Sequence, residues 1–345
     1  MLAQILRVVR LLGLRRAVRM KRHHEQGLKY VRGYAATACW FGLLEVGLLD
    51  ELSRQPAIEL DRFARDQDLD PDILRSTCEY LDGIGLLARD GGVVCLTDSG
   101  RVLLAEPRGL FELLYAYEPC FTSLAGLLRR EKQYGREVHR RITWVGQGSG
   151  RLCEQLPYPV MRNMVLTQGA HTVIDLGCGD LAFLMGLCRL DPTIRGHGID
   201  FSEEMIAFDR RLLARDDFAG RLSVQQGDMF DLPPQPEALG QIDCITACDT
   251  FHEYLPDTDR LVGLLQNLRA RFPDAAFVIG EFCLQDPQWL RKHPTASLEH
   301  HLFHELSNQQ IGTAALWRDV FTRAGLQIVD EQVYDLVGHG YFALR

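Results

Sequence analysis

What this chain lacks already narrows its biology. No apolar run approaches the roughly 18–20 residues that cross a bilayer, so no stable membrane insertion is expected. There is no C-x-x-C pair, and the ten cysteines follow neither a disulfide nor a zinc rhythm. Cys244 and Cys248 fall in an apolar, strand-like stretch, which points to buried thiols in a reducing cytoplasm. A basic excess is missing too. The formal net charge is -8, which disfavours nucleic acid as a partner because phosphate binding wants a positive field. Internal repeats and low-complexity segments are absent. Residues 1–22 contain no acid and no serine, while Arg7, Arg10, Arg15, Arg16, Arg19 and Arg22 stand among Leu, Ile and Val at helical spacing. Three roles suit such a helix: dimer formation or domain packing, membrane-surface contact, and a transit peptide. The missing serine weighs against the last.

What is present reads as a globular chain of two domains, with 345 residues, 46% hydrophobic and 24% charged. The expected domains are 1–145 and 146–345. In the first, Tyr34 to Leu52 forms an apolar helix. Short helices follow at Leu60 and after Asp70, where Asp70-Pro71 makes an N-cap with proline in the first turn. Gly85 to Thr97 reads as a hairpin turning at Asp90-Gly91-Gly92. Three helices and a hairpin make a winged-helix pattern. Its second helix carries Asp72, Glu79 and Asp82 against the single Arg75, a poor phosphate-binding face. Dimerisation and substrate capping are therefore expected of it. Residues 105–168 are helical, with an irregular hinge at Gly146-Gln147-Gly148-Ser149-Gly150.

From Thr172 onward strands and helices alternate, so the fold class is α/β, with a mostly parallel sheet covered on both faces. Ligands of such sheets sit at the carboxyl ends of the strands. Asp175 ends the first strand, and Gly177 and Gly179 occupy the turn after it, where the backbone can approach a ligand closely. Asp200 ends the second strand, next to Phe201, and can accept both hydroxyls of a ribose. Asp228 follows the third strand, positioned for an adenine amino group, with Met229 packing on the ring. Markers at three consecutive strand ends resemble the class I S-adenosylmethionine (SAM) methyltransferases, from about residue 150 to the C-terminus. The third glycine of that family's turn is replaced here by Leu181. A winged-helix domain ahead of such a domain, together with the segment Thr313–Leu326, resembles the small-molecule O-methyltransferases over nearly the whole chain. The resemblance implies a Rossmann-like domain, SAM as cofactor and a homodimer.

Two further segments carry candidate chemistry, Cys248 to Asp257 and Glu299 to Glu305. The O-methyltransferases keep a His-Asp pair at the first; here it is His252-Glu253. Two histidines and one carboxylate are the donor set of a mononuclear non-haem metal site with open positions. The pairing of His252 with His304 resembles the α-keto acid C-methyltransferases. That resemblance implies methylation of C3 of a 2-oxo acid, such as phenylpyruvate or 2-ketoarginine. It also implies a divalent or ferric ion, iron or zinc, held by His252, Glu253 and His304, the same residues serving catalysis. A 2-oxo acid chelates such an ion, which acidifies the C3 proton. Glu253, Glu305 or a metal-bound hydroxide is the expected base. Alternatives remain at this stage. His300 or His301 can replace His304, and His252 can serve a metal-free O-methyltransferase instead. Asp249 reads as a strand-end structural acid. Glu281 reads as a pocket residue or a turn cap, and His293 and His339 as surface or packing residues.

Overall fold

The computed structural model describes residues 2–215, 218, 220–293 and 295–345; Met1, at the head of the basic segment, lies outside them. The chain divides between Pro107 and Arg108 into two units. The boundary expected at 145/146 thus lies inside the second unit, because the helices Arg108–Thr122 and Ile142–Cys153 pack on each other.

The first unit contains the helices Leu2–Leu12, Leu14–Glu45, Leu48–Arg54, Leu60–Asp66 and Pro71–Gly83. The last starts where it does because the Asp70 carboxylate accepts the N–H groups of Asp72 at 2.9 Å and Ile73 at 3.1 Å. A small antiparallel sheet completes the unit: β1 (Ile58–Glu59), β2 (Leu87–Asp90) and β3 (Val93–Leu96), in the order β1-β3-β2. The expected hairpin is β2–β3, and Gly91 supplies the positive φ its turn requires, 59°. Ile5, Leu6, Leu11 and Val18 on the two N-terminal helices are exposed.

The second unit holds β4 (Thr172–Leu176), β5 (Arg195–Asp200), β6 (Leu222–Gln226), β7 (Cys244–Cys248), β8 (Ala276–Phe282), β9 (Ile328–Tyr334) and β10 (His339–Leu344). They form one sheet in the order β6-β5-β4-β7-β8-β10-β9. Strands β4 to β8 are parallel, and β10 enters antiparallel between β8 and β9. β4 and β8 are buried along their whole length, as strands covered on both faces must be. From β4 the chain builds outward to β6, then returns to β7 on the other side. This places a crevice at the carboxyl ends of β4 and β7. Trp317, Phe321 and Phe342 fill the core on one face, and the Trp317 indole donates to the Phe282 carbonyl at 3.0 Å.

Two local departures from expectation have physical causes. The glycine run 146–150 is no hinge; it lies within the helix Ile142–Cys153. A Cβ on Gly148 would sit 2.6 Å from the Leu113 backbone nitrogen, and one on Gly150 would sit 2.5 Å from an Asp180 carboxylate oxygen. The glycines are there for close approach, not for flexibility. Leu181, in place of glycine, takes φ 60° while fully buried, a conformation that costs a bulky residue about 1–2 kcal/mol. Room for its side chain comes from Gly198, where a Cβ would lie 2.7 Å from a Leu181 methyl.

Candidate active site

A cavity of about 120 Å³ opens at the ends of β4 and β5, lined by Gly177, Gly179, Asp200, Phe201, Asp228 and Met229. Gly177 has φ 70°, and a Cβ there would meet the Thr250 hydroxyl at 2.6 Å. The Asp200 carboxylate is fixed by the N–H groups of Gly179 at 3.2 Å and Ser202 at 2.9 Å. Burial pushes its carboxyl above the usual range, and those two N–H groups oppose the rise. Asp228 accepts the Phe230 N–H at 2.9 Å. Asp175 departs from its expected role: it does not line the cavity. It is buried in the sheet, accepts the Thr246 hydroxyl at 2.6 Å and ties β4 to β7. Burial pushes it up to about 7. Arg140, Ser149, Cys153 and Tyr254 also line this cavity. None was singled out from sequence, and the one signal, Ser149 among glycines, reads as a hinge.

His252 and His304 come together, their ring centroids 4.8 Å apart and their planes at 78°. His252 follows β7 in a short turn whose geometry is set by Glu281 at the end of β8. One Glu281 oxygen accepts the N–H groups of Thr250 and Phe251; the other lies 3.0 Å from His252 Nδ1. Glu281 therefore caps the turn after β7, not the turn that follows its own strand, and orients His252. His304, on the helix Ser297–Leu306, directs Nδ1 to the His300 carbonyl at 2.6 Å. With each Nδ1–H donating to oxygen, Nε2 is the free nitrogen on both rings. Burial lowers the basicity of His252, but the Glu281 carboxylate outweighs it and the net shift is upward. Burial holds His304 well below the usual range, so it is neutral. Glu253 lines the cofactor cavity, its carboxylate bonded by Arg140 and by Gln309. It does not complete a tight three-donor cluster with the two histidines. Among the described residues, the cluster of that kind is Cys153, Cys248 and Asp249.

A second cavity, of about 400 Å³, is walled by Leu110, Leu113, Leu156, Phe282 and Leu336, and shares Ser149, Cys153 and Asp249 with the first. His300 lines it with Nε2 buried and unpartnered, and burial pushes its pKa down to about 4. His301 lies outside both cavity linings. His339, expected at the surface or in packing, is instead buried and faces Asp249, with Nε2 3.1 Å from one carboxylate oxygen. His293 stacks on Trp289, as a packing residue. The Phe282 ring lies within 5.3 Å, centroid to centroid, of His252, His300, His304 and His339. This cluster is assembled from four chain segments.

Residues 168–325 match a family described as a methyltransferase domain. A 2-ketoarginine methyltransferase from Streptomyces arginensis is 29% identical over 318 residues, covering 90% of each chain. Methyltransferase ungE' from Aspergillus campestris is 26% identical over 320 residues, covering 88% of this chain and 91% of its own. Among solved structures, the mitomycin 7-O-methyltransferase MmcR superposes with a TM-score of 0.66 at 15% identity, over 95% of this chain and 99% of its own. Human N-acetylserotonin methyltransferase, solved with SAM, gives 0.65 at 18% identity, over 94% and 97%. This chain carries a methyltransferase domain over residues 168–325 and is a SAM-dependent methyltransferase. Its fold is that of the small-molecule O-methyltransferases, a Rossmann-like domain preceded by a helical N-terminal region.

Proposed function

We propose that this enzyme transfers the SAM methyl group to C3 of a 2-oxo acid. The observation that carries the reading is the buried His252–His304 pair, each ring tethered through Nδ1 and free at Nε2. Metal-ligating imidazoles are held in that way by carboxylates and carbonyls. The Streptomyces relative is named for a 2-oxo acid, which supports the same acceptor class. His252 and His304 would hold a divalent or ferric ion, iron or zinc. Glu253 would be the third donor, on exchanging its partners Arg140 and Gln309. When bound, the ion supplies Lewis-acid polarisation of the keto oxygen, which acidifies C3.

The protein's own residues do the rest. Asp200, Asp228 and Met229 hold SAM, and Glu281 fixes the tautomer and position of His252. The apolar walls of the second cavity take the acceptor's side chain and exclude water, so that positioning contributes to the rate. The one carboxylate among that cavity's described lining residues is Asp249, already paired with His339. An uncharged apolar or aromatic side chain suits the chamber better than a guanidinium, which would be buried without a free partner.

Elemental analysis and an activity panel test this reading together. The purified enzyme should carry a tightly held transition metal, which His252→Ala and His304→Ala lose. The 2-oxo acids of phenylalanine and leucine should be methylated in preference to 2-ketoarginine, and chelation should abolish the activity. Full activity in metal-stripped protein would overturn the metal assignment, and inactivity towards every 2-oxo acid would overturn the acceptor class.

One observation favours a second reading. A histidine oriented by a buried carboxylate, as His252 is by Glu281, is equipped to take a hydroxyl proton. Metal-free O-methylation would then follow, with no response to chelators. We further propose that the exposed apolar residues of the N-terminal helices are covered by a second copy in a homodimer. The ten free cysteines suit a cytoplasmic setting.

A further inference from the structure

We infer that Asp249 is the base that removes the C3 proton of the acceptor, and that His339 is its positioning residue; this rests on the 2-oxo acid reading above. Among the described residues Asp249 is the one carboxylate that lines both the cofactor cavity and the apolar chamber. A group standing where the two meet is adjacent to both the methyl donor and the methyl acceptor. The backbone there is unusual as well. Asp249 follows β7 with φ 50°, a left-handed conformation that a side-chain-bearing residue keeps only when its surroundings hold it. The holding contacts are visible. His339 Nε2 lies 3.1 and 3.3 Å from the two carboxylate oxygens, and the Cys153 thiol donates at 3.3 Å. His339 Nδ1 points at the Val337 carbonyl, 3.1 Å away. Both ring nitrogens thus face acceptors, which favours the cationic form of His339 and the ionised form of Asp249.

The other carboxylates are placed for other work. Glu253 is bonded by Arg140 and Gln309 and does not line the chamber. Glu281 lines neither cavity and is occupied by two backbone N–H groups and His252. Glu305 is exposed. In the step assigned to Asp249, the C3–H bond breaks and the proton passes to a carboxylate oxygen. The electron pair left on C3 forms the new bond to the methyl carbon. The methyl–sulfur bond breaks with its pair going to sulfur, so the sulfonium becomes a thioether. Asp249 then releases the proton to water.

Proton exchange at C3 reads this step without methyl transfer. The enzyme is held with S-adenosylhomocysteine and a 2-oxo acid in heavy water, and loss of the C3 proton signal is followed by NMR. Asp249→Asn is the first variant, because asparagine tolerates a left-handed backbone; Asp249→Ser is the second. Both should exchange C3 at least about 100-fold more slowly than the wild type and lose methyl transfer to a similar degree, with SAM affinity kept. His339→Gln, which leaves the carboxylate in place, should lower kcat about tenfold with little change in KM. Wild-type exchange in the Asp249 variants overturns the assignment, as does an unaltered kcat in His339→Gln for its role. A wild-type enzyme that methylates no 2-oxo acid overturns the functional reading, and this step with it.

Discussion

Asp175, Asp200, Asp249 and Glu281 all sit at strand ends, and their partners give each a different task. Asp175, pushed up to about 7 by burial, keeps a proton that the unfolded chain releases near 3.8. The folded state therefore binds the extra proton, and stability falls as pH rises from about 4 to 7. Asp175→Asn, which can still bond Thr246, should flatten that part of the curve in thermal melts at about pH 5 and pH 8. Asp200→Ala removes a fixed acceptor from the cofactor cavity. It should weaken SAM binding by about 10- to 100-fold in calorimetry, the range for a hydrogen bond to a charged group. Residues of this kind were legible where they stand at a recognisable strand end: Gly177, Gly179 and Asp228 just after one, Asp200 as the last residue of another. His252 and His304 were legible only through family resemblance. The role of His339 was not legible, because its partner Asp249 stands 90 residues away and nothing local to either announces the pair.

Elements show the same division. The bounds of β4, β5 and β6 coincide with those expected from the alternation of strands and helices, and β4 carries its own signal as a fully buried apolar strand. The helix Ile142–Cys153 does not. Its glycines look like a break until Leu113, Gly109 and Asp180 are seen packed against them. Gly148→Ala tests that explanation, because alanine is the better helix former and would stabilise a solvent-exposed helix. Here it should destabilise the protein by about 1–3 kcal/mol through overpacking, read as a fall in denaturation midpoint. A neutral or stabilising effect would return the segment to a flexible role.

At the scale of the whole molecule, the α/β class, the mostly parallel sheet and the winged-helix pattern were readable from periodicity and turn chemistry, whereas the strand order came only with the structure. The boundary between the units was not readable either. The helix Arg108–Thr122 would suit either domain by its sequence, and its packing on the helix Ile142–Cys153 assigns it to the second. The exposed Leu11 and Val18 lead to a prediction for the assembly. Size-exclusion chromatography with light scattering should give a dimer, and the pair Leu11→Glu and Val18→Glu should shift it towards monomer. The central claim, that a carbon and not an oxygen receives the methyl group, is tested most directly by the product itself. SAM carrying an isotope-labelled methyl group is incubated with the 2-oxo acid of phenylalanine, and the product is examined by NMR. The account predicts a labelled methyl group coupled to a single proton on C3 and resonating as a methyl on carbon. A labelled methyl resonating as a methoxy group, with C3 unchanged, would contradict it.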